Sequence, residues 1–350
     1  MNHKLDLKLF ENIMSIPSPT GYTHKVIEFI QNYVSELGYE SYKNKKGNLI
    51  VEVKGKSNFS TGFSAHVDTL GLMVRSIRGD GHLSFTTLGG PILATYDGEY
   101  CTIHTRDGKT YSGTILSTSP STHVYPDANS KTRNADGMYI RLDEVVYSKK
   151  DTENLGIQNG DFISINPKFE ITQSGYVKTR FLDDKASAFI LLEILKHLKE
   201  EKVTPNNNLT FIFSTYEEVG HGAANIPSID ELIAVDMGCI GLDLSCNEEM
   251  VSICAKDSGG PYSYDLTTKL CNLAKNNKVV LIDADLGLVW DGNYDESDEA
   301  EGVKYKEYTK YNNPHKLSGY LAAGIPVIVW EKAAVSDFVK ENNVGYIINN

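Results

Sequence analysis

Nothing in this 350-residue sequence supports a disulfide framework. Its five cysteines (Cys101, Cys239, Cys246, Cys254 and Cys271) are odd in number and none stands in a Cys-x-x-Cys pair. They read as free thiols of a reducing compartment. There is also no run of 18 apolar residues and no apolar N-terminal segment. That excludes a spanning helix and a secretory leader, so a cytoplasmic location without a membrane partner is expected. Positive charge is in deficit, with 34 Lys and Arg against 46 Asp and Glu and a net charge of −12. Such a balance disfavours nucleic acid or an anionic membrane as partner. Apolar residues are not in deficit: 41% hydrophobic and 23% charged content are ordinary for a globular protein, and the length allows two or three domains.

What is present is organised around Phe211–Ala224, FIFSTYEEVGHGAA. Leu209–Phe213 is a short apolar run of the kind that makes a buried strand. Two adjacent carboxylates, Glu217 and Glu218, follow its C-terminal end, and Gly220 and Gly222 then allow a sharp turn. Strand ends are where open α/β sheets place ligands. Adjacent acids repel unless one is neutralised, commonly by a metal ion; one Glu then binds the ion while the other handles a proton. Taken alone, a Glu-Glu pair is more often a solvated acidic turn.

Helices are predicted over 7–14 and 23–38. In the second, Val26, Phe29, Ile30, Tyr33, Val34 and Leu37 form one apolar stripe. Asn48–Val53 is a strand candidate, and Phe63–Ala65 runs into His66-Val67-Asp68. Side chains at i and i+2 of an extended chain point the same way, so both can face one cavity. Asp68 could orient His66 as a partner behind a metal-ligating ring, although a satisfied buried His is the commoner meaning of this pattern.

Residues 75–168 change character to short Thr-, Tyr- and Val-rich segments separated by Gly-containing turns, with a hairpin expected around Asp107-Gly108. They read as a small all-β insertion in an α/β domain. After Gly175 the α/β pattern resumes. Asp183 precedes a strong helix, where a carboxylate can cap the helix or bridge two ions with its two oxygens. Leu232–Val235 leads to Asp236, Val251–Cys254 is a further strand candidate and Tyr264–Asn276 a further helix. His66, Asp183, Glu218 and Asp236 thus all lie at or just beyond apolar runs of one pattern. Nitrogen and carboxylate ligands suit zinc, cobalt or manganese.

These stretches resemble the M42 metallo-aminopeptidases, relatives of glutamyl aminopeptidase and of the protein once called cellulase M. The matching segments are SAHVDTLGLMVRSI (64–77), CTIHTRDGKTYSGTIL (101–116), FLDDKASAFILLEIL (181–195), STYEEVGHGAA (214–224), AVDMG (234–238) and VSICAKDSGGPYSYDL (251–266). The resemblance covers about residues 1–279. It implies a mixed-sheet α/β di-metal aminopeptidase domain (1–72 and 170–279) with an inserted β-rich oligomerisation domain (73–169). It implies two divalent metal ions, Zn or Co with Mn an option, held by His66, Asp183, Glu218 and Asp236, with Asp183 bridging. Glu217 is then the general base and Asp68 the aspartate behind His66. Peptides are the expected substrates and a homo-oligomer the expected state.

Beyond Lys278 the family pattern should continue to a His completing the second metal site, and no such segment appears. The nearest histidine, His315, stands in an unrelated setting. Instead LGLVWDG (286–292), YTKYNNPHKLSGYLAAGIPVIVW (308–330) and KAAVSDFVKENNVGYI (332–347) resemble the C-terminal half of GT-B glucosyl- or galactofuranosyl-type glycosyltransferases. The chain is therefore expected to be composite, with a C-terminal βα fragment over 280–350. Strands are expected at Leu286–Val289 and Pro326–Val329, and helices at Lys316–Ala323 and Ala334–Glu341. The alternative readings are a sugar-nucleotide-dependent transferase fragment and a non-catalytic oligomeric scaffold.

Overall fold

The computed structural model describes residues 5–241, 244, 246–248, 250–257, 259–276, 287–288, 327–330, 340–341 and 345–348. The chain divides into two compact units, residues 1–237 and 238–350.

The first unit opens with helices α1 (Leu7–Ser15) and α2 (His24–Glu36). Asp6 caps α1 by accepting the Leu9 amide at 3.0 Å. The predicted stripe of α2 is the buried one, with Val26, Ile30 and Val34 inside and Ile27 beside them. Strands β1 (Ser41–Lys43), β2 (Leu49–Val53) and β3 (Ser60–His66) follow. After the insertion come α4 (Leu182–Glu200), β12 (Asn208–Ser214) and β13 (Glu231–Ala234). The sheet order is β1-β2-β12-β3-β13. Strands β12 and β13 flank β3 in parallel, whereas β2 runs antiparallel to β12 and β1 to β2. The sheet is thus mixed, as expected. One face is covered by apolar side chains of α1, α2 and α4, including Phe10, Ile13, Ile30, Leu191 and Leu195 packed against Leu49, Phe211 and Phe213.

Three parallel strands end together. Ser214 of β12 lies opposite His66 of β3, and Ala234 of β13 opposite Ser64. Because neighbouring strands sit about 4.8 Å apart, whatever follows these three ends meets at one edge of the sheet.

The insertion holds β4 (Gly71–Ile77), β5 (Leu83–Leu88), β6 (Tyr100–His104), β7 (Thr110–Ser117), β8 (Met138–Leu142), the short helix α3 (Lys149–Asn154) and β9 (Phe162–Ile165). The six strands close into a barrel in the order β4-β5-β8-β7-β6-β9. Its interior has a core of its own, with Leu72, Leu83, Phe85, Ile103, Ile115, Ile140 and Ile163 fully buried. The β6–β7 hairpin turns where expected, with Gly108 at φ 85°. The fold is therefore α/β with an inserted small all-β barrel. A two-stranded ribbon, β10 (Glu170–Ile171) with β11 (Val177–Lys178), precedes α4.

In the second unit β14 (Lys256–Asp257) pairs with β15 (Gly260–Pro261), and α5 spans Tyr264–Asn276 as predicted. Val251–Cys254, expected as a strand, is irregular, and Val251 is 66% exposed. An apolar run becomes a strand only where a neighbour takes its backbone groups. Strands β16 (Gly287–Leu288), β17 (Val327–Trp330) and β18 (Gly345–Ile348) make a parallel three-stranded sheet, in agreement with the strands expected at 286–289 and 326–329. The helix expected over 316–323, all but residues 340–341 of that over 334–341, and His315 lie outside the described residues.

Candidate metal centre

The sheet edge collects one imidazole and six carboxylates. His66 is the last residue of β3 and is buried. Its Nε2 lies 3.0 Å from Asp183 Oδ1 and 3.5 Å from Glu217 Oε2. Its Nδ1 lies 2.9 Å from the main-chain oxygen of Asp68, and the Asp68 carboxylate is farther away at 3.6 Å. The ring is thus oriented chiefly by the Asp68 carbonyl rather than by its side chain.

The Asp68 carboxylate has another set of partners. It is fully buried and accepts the Thr20 hydroxyl at 2.7 Å, the Glu217 amide at 3.1 Å and the Glu218 amide at 3.3 Å. Glu217 and Glu218 stand on a single 3-10 turn that ends at Gly220, whose φ of 84° favours glycine. Gly222 has a different reason to be glycine. A Cβ there would come within 3.0 Å of Glu217 Cα. Asn48 braces both sides of this turn, accepting from Thr215 and donating to the Gly222 carbonyl at 2.9 Å.

Asp183 and Asp184 open α4 with non-helical backbone angles, and the peptide bond between them is cis. Ligand atoms of His66, Asp183 and Glu218 lie within 4.8 Å of one another, and so do those of His66, Asp184 and Asp236. All four residues singled out as ligands in the sequence therefore approach one place, in two groups that share His66. Asp184 was missed. Its signal was an adjacent acid pair, Asp183-Asp184, of the same kind as Glu217-Glu218. Buried Asp184 accepts the His66 amide at 3.0 Å through Oδ2, while its Oδ1 has no hydrogen-bond partner. An orphaned buried carboxylate oxygen beside an imidazole and further carboxylates is the environment a divalent cation satisfies. The residues present fit such an ion.

Electrostatics point the same way. Burial would lower the His66 pKa, but the bond to Asp183 and the charges of Asp184, Asp68 and Asp236 outweigh it and push the ring up to about 10. Burial, then the neighbouring Asp236, pushes Asp184 up to about 8. Burial, together with Asp183, Asp68 and Glu217 and against His66, pushes Glu218 up to about 7, and Glu217 is raised mainly by burial. Acids crowded in this way hold protons that a cation can replace.

The chain matches known proteins in two places. The M42 glutamyl aminopeptidase family profile matches residues 47–283, and the glucosyltransferase 3-like C-terminal domain matches residues 268–350. A Bacillus subtilis relative named as an aminopeptidase, YhfE, is 45% identical over 276 residues, 78% of this chain and 80% of its own length. The solved TET1 peptidase of Pyrococcus horikoshii, which assembles into a tetrahedron or a large octahedral shell, is 26% identical with a TM-score of 0.64, covering 77% of this chain and 81% of its own. The tail is 42% identical over 71 residues to the β-1,6-galactofuranosyltransferase WbbI of Escherichia coli, a stretch that spans 20% of this chain and 21% of that protein. Both resemblances read from the sequence are thereby supported, the second over a short segment only. The match over 47–283 takes in every residue of the metal cluster, and the chain belongs to the M42 glutamyl aminopeptidase family of metal-dependent aminopeptidases.

Proposed function

We propose that this chain removes N-terminal residues from peptides at the His66 cluster. The observation that carries the reading is the convergence of His66, Asp183, Glu218, Asp184 and Asp236 at the shared end of three parallel strands. His66, Asp183 and Glu218 form one group of ligands, and Asp184 and Asp236 extend it through the same imidazole. When bound there, divalent cations polarise the peptide carbonyl and acidify water. Zinc or cobalt is the favoured ion, with manganese an alternative, on the chemistry of the donors.

Glu217 is the general base of this proposal. Its side chain is half exposed, so an attacking water can reach it, and its amide is fixed by Asp68. It takes a proton from the attacking water and delivers it to the leaving amine. The cluster's negative charge also gives a free α-ammonium group a place to bind, which restricts cleavage to chain ends. Because the family's closing His has no counterpart in the sequence, the Glu218 side of the site is expected to hold its ion less tightly than the Asp236 side.

Three further points belong to the same reading. The domain division is 1–72 with 170–279, 73–169 and 280–350; the separate core of the barrel supports its middle part. The barrel mediates homo-oligomer formation, as suits a relative of an assembling peptidase. The protein works in the cytoplasm. Among the described residues no helix is long and apolar enough to cross a membrane.

The test is hydrolysis of a panel of aminoacyl p-nitroanilides by the purified full-length chain, with N-acetylated counterparts as controls. Release from free-amine substrates alone supports the proposal. Equal release from blocked substrates, or none from any, removes it.

A further inference from the structure

We infer that Thr20, a residue of the loop joining α1 and α2, is a positioning residue for the general base, acting through Asp68. This rests on the role proposed for Glu217. The loop runs beside the residues that follow β3. Ser18 donates its hydroxyl to the Val67 carbonyl at 2.7 Å and accepts the Thr69 amide at 2.9 Å, and Pro19 pairs with Thr69 in a parallel bridge. Thr20 donates its amide to the Thr69 carbonyl at 3.1 Å. Lys185, from α4, donates to the Ile16 carbonyl. These contacts dock the loop without the Thr20 hydroxyl, which is free to do something else.

What it does is donate to Asp68 Oδ2 at 2.7 Å, inside the protein, with Thr20 only 4% exposed. Asp68 has two oxygens and a rotatable carboxylate. The Glu217 amide reaches Oδ1 and the Glu218 amide reaches Oδ2. Both bonds form together when the carboxylate plane is turned to face the two amides, one oxygen to each. The hydroxyl, binding Oδ2 from the loop between α1 and α2, holds the plane in this setting. A hydroxyl on a loop near the N-terminus therefore sets where the Glu217-Glu218 turn stands relative to His66, although 48 residues separate Thr20 from Asp68 and about 150 separate Asp68 from the turn. A bond of this kind supports geometry in the way that partners behind a ligand do, where loss typically costs about 10–100-fold in activity or metal affinity.

The variants are Thr20→Val, which keeps the shape and removes the donor, and Thr20→Ser, which keeps the donor and removes the methyl. Two readouts are taken on the full chain. The first is hydrogen–deuterium exchange of the peptide covering residues 215–220, which reports the two amides directly and needs neither metal nor turnover. The second is kcat and KM on an aminoacyl p-nitroanilide with cobalt in excess. For Thr20→Val, faster exchange at 215–220 is expected, with kcat lower by about 10–100-fold and KM little changed. Thr20→Ser should match the wild type in both. Wild-type exchange in Thr20→Val, or a Thr20→Ser as perturbed as Thr20→Val, overturns the inference. A wild-type chain without hydrolysis overturns the peptidase reading instead, and the exchange comparison then decides the role of Thr20 alone.

Discussion

His66 Nε2 lies 3.0 Å from Asp183 Oδ1, although 117 residues separate them in the chain. The sheet register makes this contact possible by ending β3 at His66, where the non-helical start of α4 delivers two carboxylates. The imidazole belongs to both groups of candidate ligands. With Nδ1 held at the Asp68 carbonyl, Nε2 is the one ring nitrogen left for an ion. His66→Ala removes a ligand from both groups and is expected to bind less zinc than Glu218→Ala, which removes one from a single group. Ions bound per chain, measured after dialysis against trace zinc, check this. Equal losses in the two variants would count against a role for His66 in both groups.

Glu217→Gln should lose about 10²–10⁴-fold in kcat, the usual worth of a positioned general base. It should keep the wild-type metal content, because Glu217 lies in neither ligand group. A large fall in bound metal would make Glu217 a ligand rather than a base.

Gly222→Ala tests the fit beneath the Glu217 turn. The added methyl meets Glu217 Cα at 3.0 Å and its Cβ at 3.1 Å, so the turn must give by a few tenths of an ångström. Activity is expected to fall about tenfold, since small misplacements of catalytic groups are costly, while the melting temperature stays near that of the wild type. Unchanged kcat would mean that the turn accommodates the methyl without moving Glu217.

His104 offers a pH test away from the metal cluster. It is buried, its Nε2 lies 2.8 Å from Ser164 Oγ, and its ring stacks on Tyr22. Burial, with smaller effects of Lys25 and His24, pushes it from 6.5 down to about 4. Between these values the unfolded chain binds more protons than the folded one, so stability rises with pH there. The contribution is fully present above about pH 6.5 and is lost as pH falls toward 4; its upper bound is about 3 kcal/mol. Urea unfolding midpoints at several pH values should show a flatter dependence for His104→Gln than for the wild type. Parallel curves would mean that His104 titrates normally in the folded state.

How much of this was legible follows from the range of each signal. The α2 stripe, α5, the β6–β7 hairpin and the strand leading to Glu217 are local patterns, and sequence periodicity reports them. The joining of Leu72 to Ile163 that helps close the barrel is a pairing at long range, which composition does not encode. The candidate ligands His66, Asp183, Glu218 and Asp236 are legible through the M42-like motifs that contain them, supported by their places at or just beyond apolar runs. Asp184 carries no such mark, because its inward placement depends on the non-helical backbone at the start of α4, which periodicity does not report. Thr20 carried no signal at all, since a lone hydroxyl in a Pro-rich loop gains meaning only from the carboxylate it meets.

The central claim is tested most directly by metal content and hydrolysis measured on the same full-length sample before chelation, after chelation, and after return of zinc, cobalt or manganese. The account predicts at least one divalent ion per chain, loss of aminoacyl p-nitroanilide hydrolysis when it is removed, and recovery when it is restored. A chain that binds no divalent ion, or that hydrolyses equally well without one, would contradict it.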